Sequence, residues 1–320
     1  MEFGFELSLC SYLEATTDWI IGRQLGAAVA DPGGRVIDVC GVVPNDRVDR
    51  RVRITPQEIP LAAIESDVGA GEAVYWRDAF ECQPDRARRA TARAIEIGFF
   101  EAERRNGRQY VRQTTRYPDW VDRIVGIENK PDLGEPGDLE RQLRFDVSLA
   151  LVDEAILATG SHITRAHLNR IPDAVGVWRF DPERRTHEVV REPTPLRTDE
   201  PGIEPIDRRA LRTDLAVVSP DAKERYRRRI AERAYGKGWR TYEFPACSRI
   251  DSTGDAIPWC RYHDRIVDPA TDCGEDCPGL DRIDPRDVDT PDFDALRNDR
   301  TPWVADPDGL ETTQSGLFEF

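Results

Sequence analysis

The sequence predicts an α/β fold, because three kinds of local pattern follow one another along the chain. A helical pattern comes first, two apolar runs joined by a turn come next, and alternating strand and helix patterns fill the middle. Such alternation is typical of a sheet with helices packed on its faces. With 320 residues, the chain can bury a sizeable core and form two domains, or one domain with an insertion.

Arginine supplies almost all of the positive charge in an acidic chain. There are 60 Asp and Glu against 45 Lys and Arg, with a net charge of −15 and a pI of about 4.9. The three lysines are Lys130, Lys223 and Lys237. An acidic excess ordinarily argues against nucleic-acid binding. This composition is also typical of salt-accumulating archaea, and at ~1 M salt the Debye length is only ~3 Å, so net charge says little about a local site.

Three features of the sequence predict a cytoplasmic protein without a membrane partner. The N-terminus lacks the basic region and the apolar run of a signal peptide. No stretch approaches the ~18 apolar residues of a membrane span. Seven cysteines in such a chain indicate metal binding or buried thiols rather than disulfides.

The first patterns predict a helix followed by a β-hairpin. Residues 5–16 place Glu6, Cys10 and Glu14 at i, i+4 and i+8, on one helical face. Two apolar runs within residues 19–43 are joined by Asp-Pro-Gly-Gly, which is a strong turn signal.

Residues 45–119 have a different character. Their patterns predict helices at residues 55–66 and 83–100, and then a hairpin that turns at Asn106-Gly107. Helices followed by a tight basic hairpin resemble a winged-helix module, and an ordinary helical insertion is the alternative. Residues 84–123 hold ten arginines against six acids. The candidate nucleic-acid contacts in this basic patch are Arg88, Arg89, Arg93 and Arg108.

Strand and helix patterns alternate from residue 123 to about 180, and a further helix follows them. Ser219 is placed as its N-cap, with Pro220 at the first helical position. Residues 223–240 carry eight basic groups and two acids. Arg228 and Arg229 are candidate nucleic-acid contacts on this helix.

These changes of pattern divide the chain into five segments. Three of them form a core and its insertion, and two follow the core. They are residues 1–44 and 120–245 (the two parts of the α/β core), 45–119 (the insertion), 246–280 (a cysteine cluster) and 281–320 (an acidic tail with little periodicity).

The stretch Gly-Ile-Glu-Asn-Lys, at the end of a predicted strand, has the most specific chemistry. Side chains at i and i+2 of a strand share a face, so Glu128 and Lys130 project together. Phosphodiester hydrolysis with Mg²⁺ needs hard oxygen ligands and a cation that positions the water or stabilises the charged transition state. Lysine suits the second task because its ammonium is a compact charge. A strand-end ion pair without chemistry is the alternative.

The order of elements resembles the PD-(D/E)XK nuclease superfamily, which includes restriction endonucleases and RecB-like exonucleases. That order is a helix with an acid, a hairpin with an aspartate, a strand with Glu-x-Lys, and a helix with Gln142. It covers about half of the chain. The resemblance implies a restriction-endonuclease-like mixed sheet flanked by helices.

The same resemblance assigns roles to individual residues. It implies that Asp38 and Glu128 hold Mg²⁺ or Mn²⁺, and that the backbone carbonyl of Asn129 adds a ligand. Lys130 would orient the attacking water. The assisting acid on the first helix would be Glu14, with Glu6 as the second choice.

Two aspartates compete for the place beside Glu128. Pro118-Asp119 spells the literal motif, but in an extended segment Asp119 would lie up to ~30 Å away from Glu128. Asp38, in the middle of a hairpin strand, pairs more naturally with the strand of Glu128. We therefore prefer Asp38, which makes residues 45–119 an insertion between the two catalytic strands.

Four cysteines near the C-terminus have a spacing that indicates a metal site. Their pattern is C-x12-C-x12-C-x3-C, and four thiolates hold either zinc or an iron–sulfur cluster. RecB-like nucleases with such a cluster take one cysteine from the first helix, which would be Cys10, and His263 is a further candidate ligand. Cys40 and Cys82 are interpreted as buried thiols. The four cysteines are Cys247, Cys260, Cys273 and Cys277.

The C-terminal sequence QSGLFEF resembles peptides that dock on sliding clamps. Gln314, Leu317 and Phe320 have the Q-x-x-L-x-x-F spacing, in which the apolar side chains fill a groove on the partner. A chance match in a tail is the alternative.

The sequence thus favours a divalent-metal-dependent nuclease that acts on DNA, rather than RNA, in repair or processing. The rivals are a non-catalytic nucleic-acid-binding or regulatory protein with the same fold, and an adaptor for the sliding clamp. The chain is also similar to a haloarchaeal family of unknown function, a resemblance that supplies no activity.

Overall fold

The computed structural model describes residues 2–134, 137–209 and 211–307. The helices in these ranges are α1 (Glu2–Thr16), α2 (Val48–Val52), α3 (Leu61–Ile64), α4 (Pro84–Glu96), α5 (Leu139–Leu149), α6 (Arg165–Leu168), α7 (Pro220–Lys237) and α8 (Phe293–Arg300). The strands are β1 (Ile20–Gly26), β2 (Val36–Pro44), β3 (Val74–Tyr75), β4 (Phe100–Arg105), β5 (Arg108–Gln113), β6 (Val121–Asn129), β7 (Glu154–Thr159), β8 (Gly176–Asp181), β9 (Thr186–Arg191), β10 (Gly202–Arg209), β11 (Arg212–Val218), β12 (Ile250–Ser252), β13 (Pro258–Cys260) and β14 (Arg265–Ile266).

A six-stranded mixed sheet in the order β1-β2-β6-β7-β8-β9 forms the centre of the molecule. β2 is antiparallel to both of its neighbours, β1 and β6, while β6, β7 and β8 run parallel and β9 is antiparallel to β8. The parallel connections run through α5 and α6, as crossovers between parallel strands require. The predicted α/β fold, a mixed sheet flanked by helices, is confirmed.

Helices cover both faces of this sheet. On one face, Leu9 and Leu13 of α1 pack in a core with Val39 and Ile127. On the other face, α5 and α7 pack over the opposite side chains of the same strands. Gly22 of β1 lets α7 approach closely, since a Cβ there would lie only 2.9 Å from Cα of Ala234. Among the described residues, no helix has the length and apolar character needed to cross a bilayer.

The segment between β2 and β6 forms a small unit with its own apolar core. Its strands pair antiparallel in the order β3-β5-β4, and α4 packs beside them. Phe99, Phe100 and Val111 are buried in its core. Asn106 and Gly107 have positive φ angles of 50° and 75°, so the predicted tight hairpin is present. Because β2 and β6 pair directly, this unit is an insertion between two neighbouring strands of the sheet.

Some predicted elements differ in length, and others were missed. The helix expected around residues 55–66 is only α3, because Pro56 and Pro60 interrupt the pattern. The tail that lacked periodicity contains α8, and Arg297 in that helix donates to the carbonyl of Ala234 on α7 at 3.0 Å. Short elements of this kind form through tertiary contacts rather than through local pattern.

A buried ion pair fastens the inserted unit to α7. The side chains of Arg51 and Glu232 are 0% and 1% exposed, and two guanidinium nitrogens donate to the carboxylate at 2.6 Å each. Arg51 also donates to the carbonyl of Thr55 at 2.8 Å. Glu232 accepts from the Ile59 amide at 2.9 Å and from the Tyr117 hydroxyl at 2.8 Å. Protein groups therefore compensate both charges.

Arg51→Ala should lower the free energy of unfolding by about 3–5 kcal/mol, because it leaves a buried carboxylate uncompensated. Urea denaturation measures this change. The control is Arg112→Ala, which removes an exposed pair with Glu101 and should cost less than about 1 kcal/mol. Equal losses in the two variants would contradict the assignment.

Candidate functional site

The pairing of β2 with β6 brings Asp38 and Glu128 together. Val39 of β2 pairs with Ile127 of β6, so Asp38 lies opposite Glu128 one position further along. The Asn129 amide donates to Asp38 Oδ2 at 3.0 Å. Asp119 precedes the other end of β6, where its carbonyl accepts from the side chain of Asn45. The structure therefore places Asp38, rather than Asp119, beside Glu128.

These carboxylates line a cavity of about 510 Å³ at the ends of the two strands. We call it the carboxylate cavity. Four of the five residues predicted to be catalytic line it, and they come from two strands, the chain after β6, and α5. The lining includes Asp38, Glu128, Lys130 and Gln142, together with Glu2, Phe3, Glu6, Gln24, Asn129 and Asp138.

Glu6, and not Glu14, is the acid that α1 brings to the carboxylate cavity. Glu14 is buried beside Trp239 Nε1 at 2.9 Å and Arg240 Nη2 at 2.6 Å, and it lines a separate cavity. The expectation for Glu14 is corrected here. Both acids share one face of α1, but eight residues of helix separate them by ~12 Å, and the strand ends meet the N-terminal half of the helix.

Glu6 connects the first helix to β1 and β6. Gln24 Nε2 donates to its two oxygens at 3.2 and 3.0 Å, and Asn129 Nδ2 donates to Oε2 at 3.0 Å. The guanidinium of Arg23 also pairs with it. Burial raises the pKa of Glu6, and the charge of Arg23 partly offsets this rise.

Arg35 is a site residue that the sequence analysis missed. Its Nη2 lies 2.7 Å from Glu128 Oε2 and 2.7 Å from Asp146 Oδ2 on α5. The side chain is only 5% exposed, so this guanidinium neutralises carboxylates inside the protein. A single arginine after a turn has no distinctive spacing, and only the folded chain reveals its position.

Burial and crowding disfavour negative charge in this cavity. Burial raises the pKa of Glu128 to about 7, against the attraction of Arg35, and the nearby Asp38 raises it further. Burial also raises the pKa of Asp38. A bound cation would favour the ionised form of these carboxylates and so offset the cost of their burial.

Two further groups at the site have donors or acceptors to offer. Asn129 Oδ1 is buried without a hydrogen-bond partner among the described residues, so a hard oxygen atom is left unused. Lys130 Nζ lies 3.6 Å from Glu2 Oε1 and remains partly exposed. Among the described residues, no group of three or more His, Cys, Asp or Glu side chains is arranged so as to hold a metal ion.

The C-terminal cysteines lie close to one another in the small sheet β12-β13-β14 and its loops. Burial raises the pKa of Cys273 to about 11, with further contributions from the thiols of Cys260, Cys277 and Cys247. Cys277 Sγ is 3.7 Å from His263 Nε2. The structure thus gathers the four cysteines and the histidine that the sequence singled out, although their side chains do not form a closed metal site.

The other cysteines lie elsewhere. Cys10 is buried in the core between α1 and the sheet, and Cys40 is buried on β2. Burial raises the pKa of Cys40 to about 12. Cys82 is half-buried beside a cavity of about 780 Å³.

The arginines predicted to contact nucleic acid divide into two groups. Arg89, Arg93 and Arg229 line a cleft of about 310 Å³ between α4 and α7. Arg228 lines the neighbouring 780 Å³ cavity, in which acidic and basic side chains balance.

Arg88 and Arg108 lie outside that cleft. Arg88 is exposed, 3.7 Å from Asp85, and the guanidinium of Arg108 lies over the ring of Tyr75 at 5.6 Å. The predicted clamp-binding residues Gln314, Leu317 and Phe320 fall outside the described residues.

Glu128→Gln should change how stability depends on pH. Between pH 4.5 and about pH 7, the folded chain keeps a proton on Glu128 that the unfolded chain has lost. Glu128 therefore makes the wild type less stable as pH rises through this window, and its contribution is constant above the window. Relative to the variant, the wild type should lose about 3 kcal/mol across the window. Urea denaturation curves recorded from pH 4 to pH 8, at about every half pH unit, measure this difference. Glu101→Gln, at an exposed position, should give a curve parallel to wild type; a parallel curve for Glu128→Gln would refute the assignment.

Comparison with known proteins identifies a family for this chain. Neither the curated proteins nor the solved structures contain a match. A family model, that of the family of unknown function DUF5787, matches residues 20–282. The matched region contains Asp38, Glu128, Lys130 and the four C-terminal cysteines. Because this match covers more than half of the chain, the chain belongs to DUF5787.

Proposed function

We propose that this protein is a divalent-metal-dependent nuclease with a restriction-endonuclease-like core. One observation carries the proposal. Asp38 and Glu128 come from neighbouring antiparallel strands and share a cavity with Lys130, in the order that the PD-(D/E)XK resemblance implies. Gln142 on the following helix lines the same cavity.

The donor set suits a hard cation such as Mg²⁺ or Mn²⁺. Asp38 and Glu128 would hold the ion, the backbone carbonyl of Asn129 would add a ligand, and water would complete the shell, because Mg²⁺ keeps several waters and needs only one or two carboxylates. Such an ion polarises the phosphate and lowers the pKa of a bound water. This arrangement is compatible with a site that lacks a third carboxylate ligand.

The chain's own residues would then position the reacting groups. Lys130 is partly exposed at the cavity and has a compact ammonium, which suits it to orient the attacking water and to stabilise charge on the phosphate. Arg35 holds one oxygen of Glu128 through Nη2 and so fixes the carboxylate. Glu6 orients the side chain of Asn129 by accepting from its Nδ2.

Lys130→Ala should reduce metal-dependent cleavage by about 100- to 1000-fold, the effect of removing one transition-state donor. The assay uses labelled single-stranded, duplex and flapped DNA with Mg²⁺ or Mn²⁺ in molar KCl. Asp38→Asn should abolish cleavage by removing a ligand. Arg184→Ala is the control, because it removes an exposed cation from the turn between β8 and β9, and this variant should cut at the wild-type rate. Wild-type protein that cuts none of these substrates would contradict the proposal.

A second function is favoured by the ion pairs at the site. Glu128 is engaged by Arg35, and Lys130 lies near Glu2, so the charges have protein partners without a cation. A non-catalytic nucleic-acid-binding protein would have this appearance. Binding of the same DNA substrates by both wild type and Lys130→Ala, with no cutting by either, would select this function.

We also propose that the C-terminal cysteines hold a structural metal, either zinc or an iron–sulfur cluster. Four thiols and His263 lie together in a loop-rich segment, and such ligands suit both groups. The bound group would stabilise the small sheet β12-β13-β14, because metal binding couples to folding.

Anaerobically purified protein should contain about one equivalent of zinc or a visible absorbance from iron and sulfide. Cys273→Ser should lose most of this metal, while Cys82→Ser, a change far from the cluster in sequence, should retain it. Elemental analysis and visible spectroscopy make both measurements. Metal-free wild-type protein of undiminished stability would exclude the site.

A further inference from the structure

The cleft between α4 and α7 concentrates positive charge in an acidic chain. Five arginines line it, and Glu58 is the one acid among its described lining residues. We call it the cationic cleft. The arginines are Arg86, Arg89 and Arg93 on α4 and Arg229 and Arg233 on α7.

The spacing of these arginines forms two facing rows. Arg86, Arg89 and Arg93 lie at i, i+3 and i+7 and therefore share one face of α4. Arg229 and Arg233 lie at i and i+4 on α7. At 1.5 Å per residue, the α4 row extends over ~10 Å, which is long enough for several phosphates of a nucleic-acid strand.

The positive charges of the cleft are crowded and only partly compensated. Arg93 pairs with Glu96 at 2.9 Å, and Arg233 lies 3.8 Å from Glu58. The pKa of Arg233 is lowered, first by burial and then by the charge of Arg229. A bound anion would relieve this repulsion.

The floor of the cleft indicates which part of a nucleic acid it would contact. Leu61, Ala62 and Ala90 are the apolar residues that line it together with Pro60, and its described lining contains no aromatic side chain. Proteins that bind bases of a single strand stack them on aromatic rings. Arginine forks above an aliphatic floor suit the phosphates instead.

One end of the cationic cleft approaches the strands that hold the carboxylates. Nη1 of Arg233 lies 3.7 Å from the position that a Cβ would take on Gly26, the last residue of β1. Gly26 pairs with Val36, which lies two residues before Asp38 on β2. A strand leaving the cleft at Arg233 would therefore reach the edge of the sheet near the carboxylate cavity.

We infer that the cationic cleft binds the phosphodiester backbone of one nucleic-acid strand and guides that strand toward the carboxylate cavity. The inference rests on the proposed nuclease function, and it adds Arg86 and Arg233 as contacts that the sequence analysis did not identify. Binding is expected to be independent of base identity.

Two neighbouring arginines on α4 provide a matched test. Arg89 lines the cationic cleft and Arg88 lies outside it, yet both changes to alanine remove one charge from the same exposed helix. On an Asp38→Asn background, which prevents cutting, fluorescence anisotropy measures binding of a labelled oligodeoxynucleotide over a range of KCl concentrations. Arg89→Ala should weaken binding about tenfold and lower the salt slope by about one, while Arg88→Ala should change neither.

Two more variants and a second probe sharpen the result. Arg233→Ala should behave like Arg89→Ala, and Arg89→Lys should recover part of the affinity by restoring the charge without the fork. An oligonucleotide with abasic sites in place of its bases should bind about as well as the normal strand. Thermal unfolding of each variant shows whether the fold is intact.

Several outcomes would overturn the inference. Equal losses for Arg88→Ala and Arg89→Ala would mean a diffuse charge effect, and loss of binding with the abasic strand would mean that bases are recognised. Binding of a phosphorylated peptide, but of no oligonucleotide, would assign the cleft to a protein partner. If the cleft binds as expected but wild type never cuts, only the nuclease proposal fails. If wild type cuts but Arg89→Ala binds normally, only the cleft inference fails.

Discussion

The antiparallel pairing of β2 with β6 is the constraint on which the rest of the structure depends. It joins segments separated by the whole inserted unit, so it is a long-range contact with a large loop-closure cost. β2 ends and β6 begins at the same end of the sheet, and the inserted unit connects them there. Asp38 and Glu128 meet near the other end. The pairing thus determines where the carboxylate cavity forms and how far it lies from the inserted unit.

Buried charge organises the protein at two places on the face of the sheet that α5 and α7 cover. Arg35 compensates Glu128 and Asp146 beside the carboxylate cavity, and Arg51 compensates Glu232 at the joint between the insertion and α7. Replacing one member of such a pair leaves an ion in an apolar interior, which costs far more than the loss of a surface pair. Arginine suits these positions because its planar fork satisfies several acceptors at once.

The three lysines have different reasons to differ from arginine. Lys223 is buried and donates to the carbonyls of Arg197 and Glu200 at 2.9 and 2.8 Å, and Lys237 donates to the carbonyl of Arg23. The two carbonyls around Lys223 suit a slender ammonium better than a guanidinium. Scarcity of lysine therefore does not by itself indicate chemistry. Lys130 is distinguished by its place at the carboxylate cavity.

The sequence by itself determined the first helix, the hairpin, the strand that ends at Asn129, and the Ser219-capped helix, because periodicity, turn residues and caps act locally. The preference for Asp38 over Asp119 beside Glu128 also came from the sequence, but the pairing of β2 with β6 decided between the two aspartates. Only the tertiary structure decided that Glu6 rather than Glu14 reaches the cavity, because both lie on one helical face and the docking position of α1 selects between them. Arg35, α8 and the cationic cleft likewise depend on contacts between residues far apart in the chain, which local pattern does not encode.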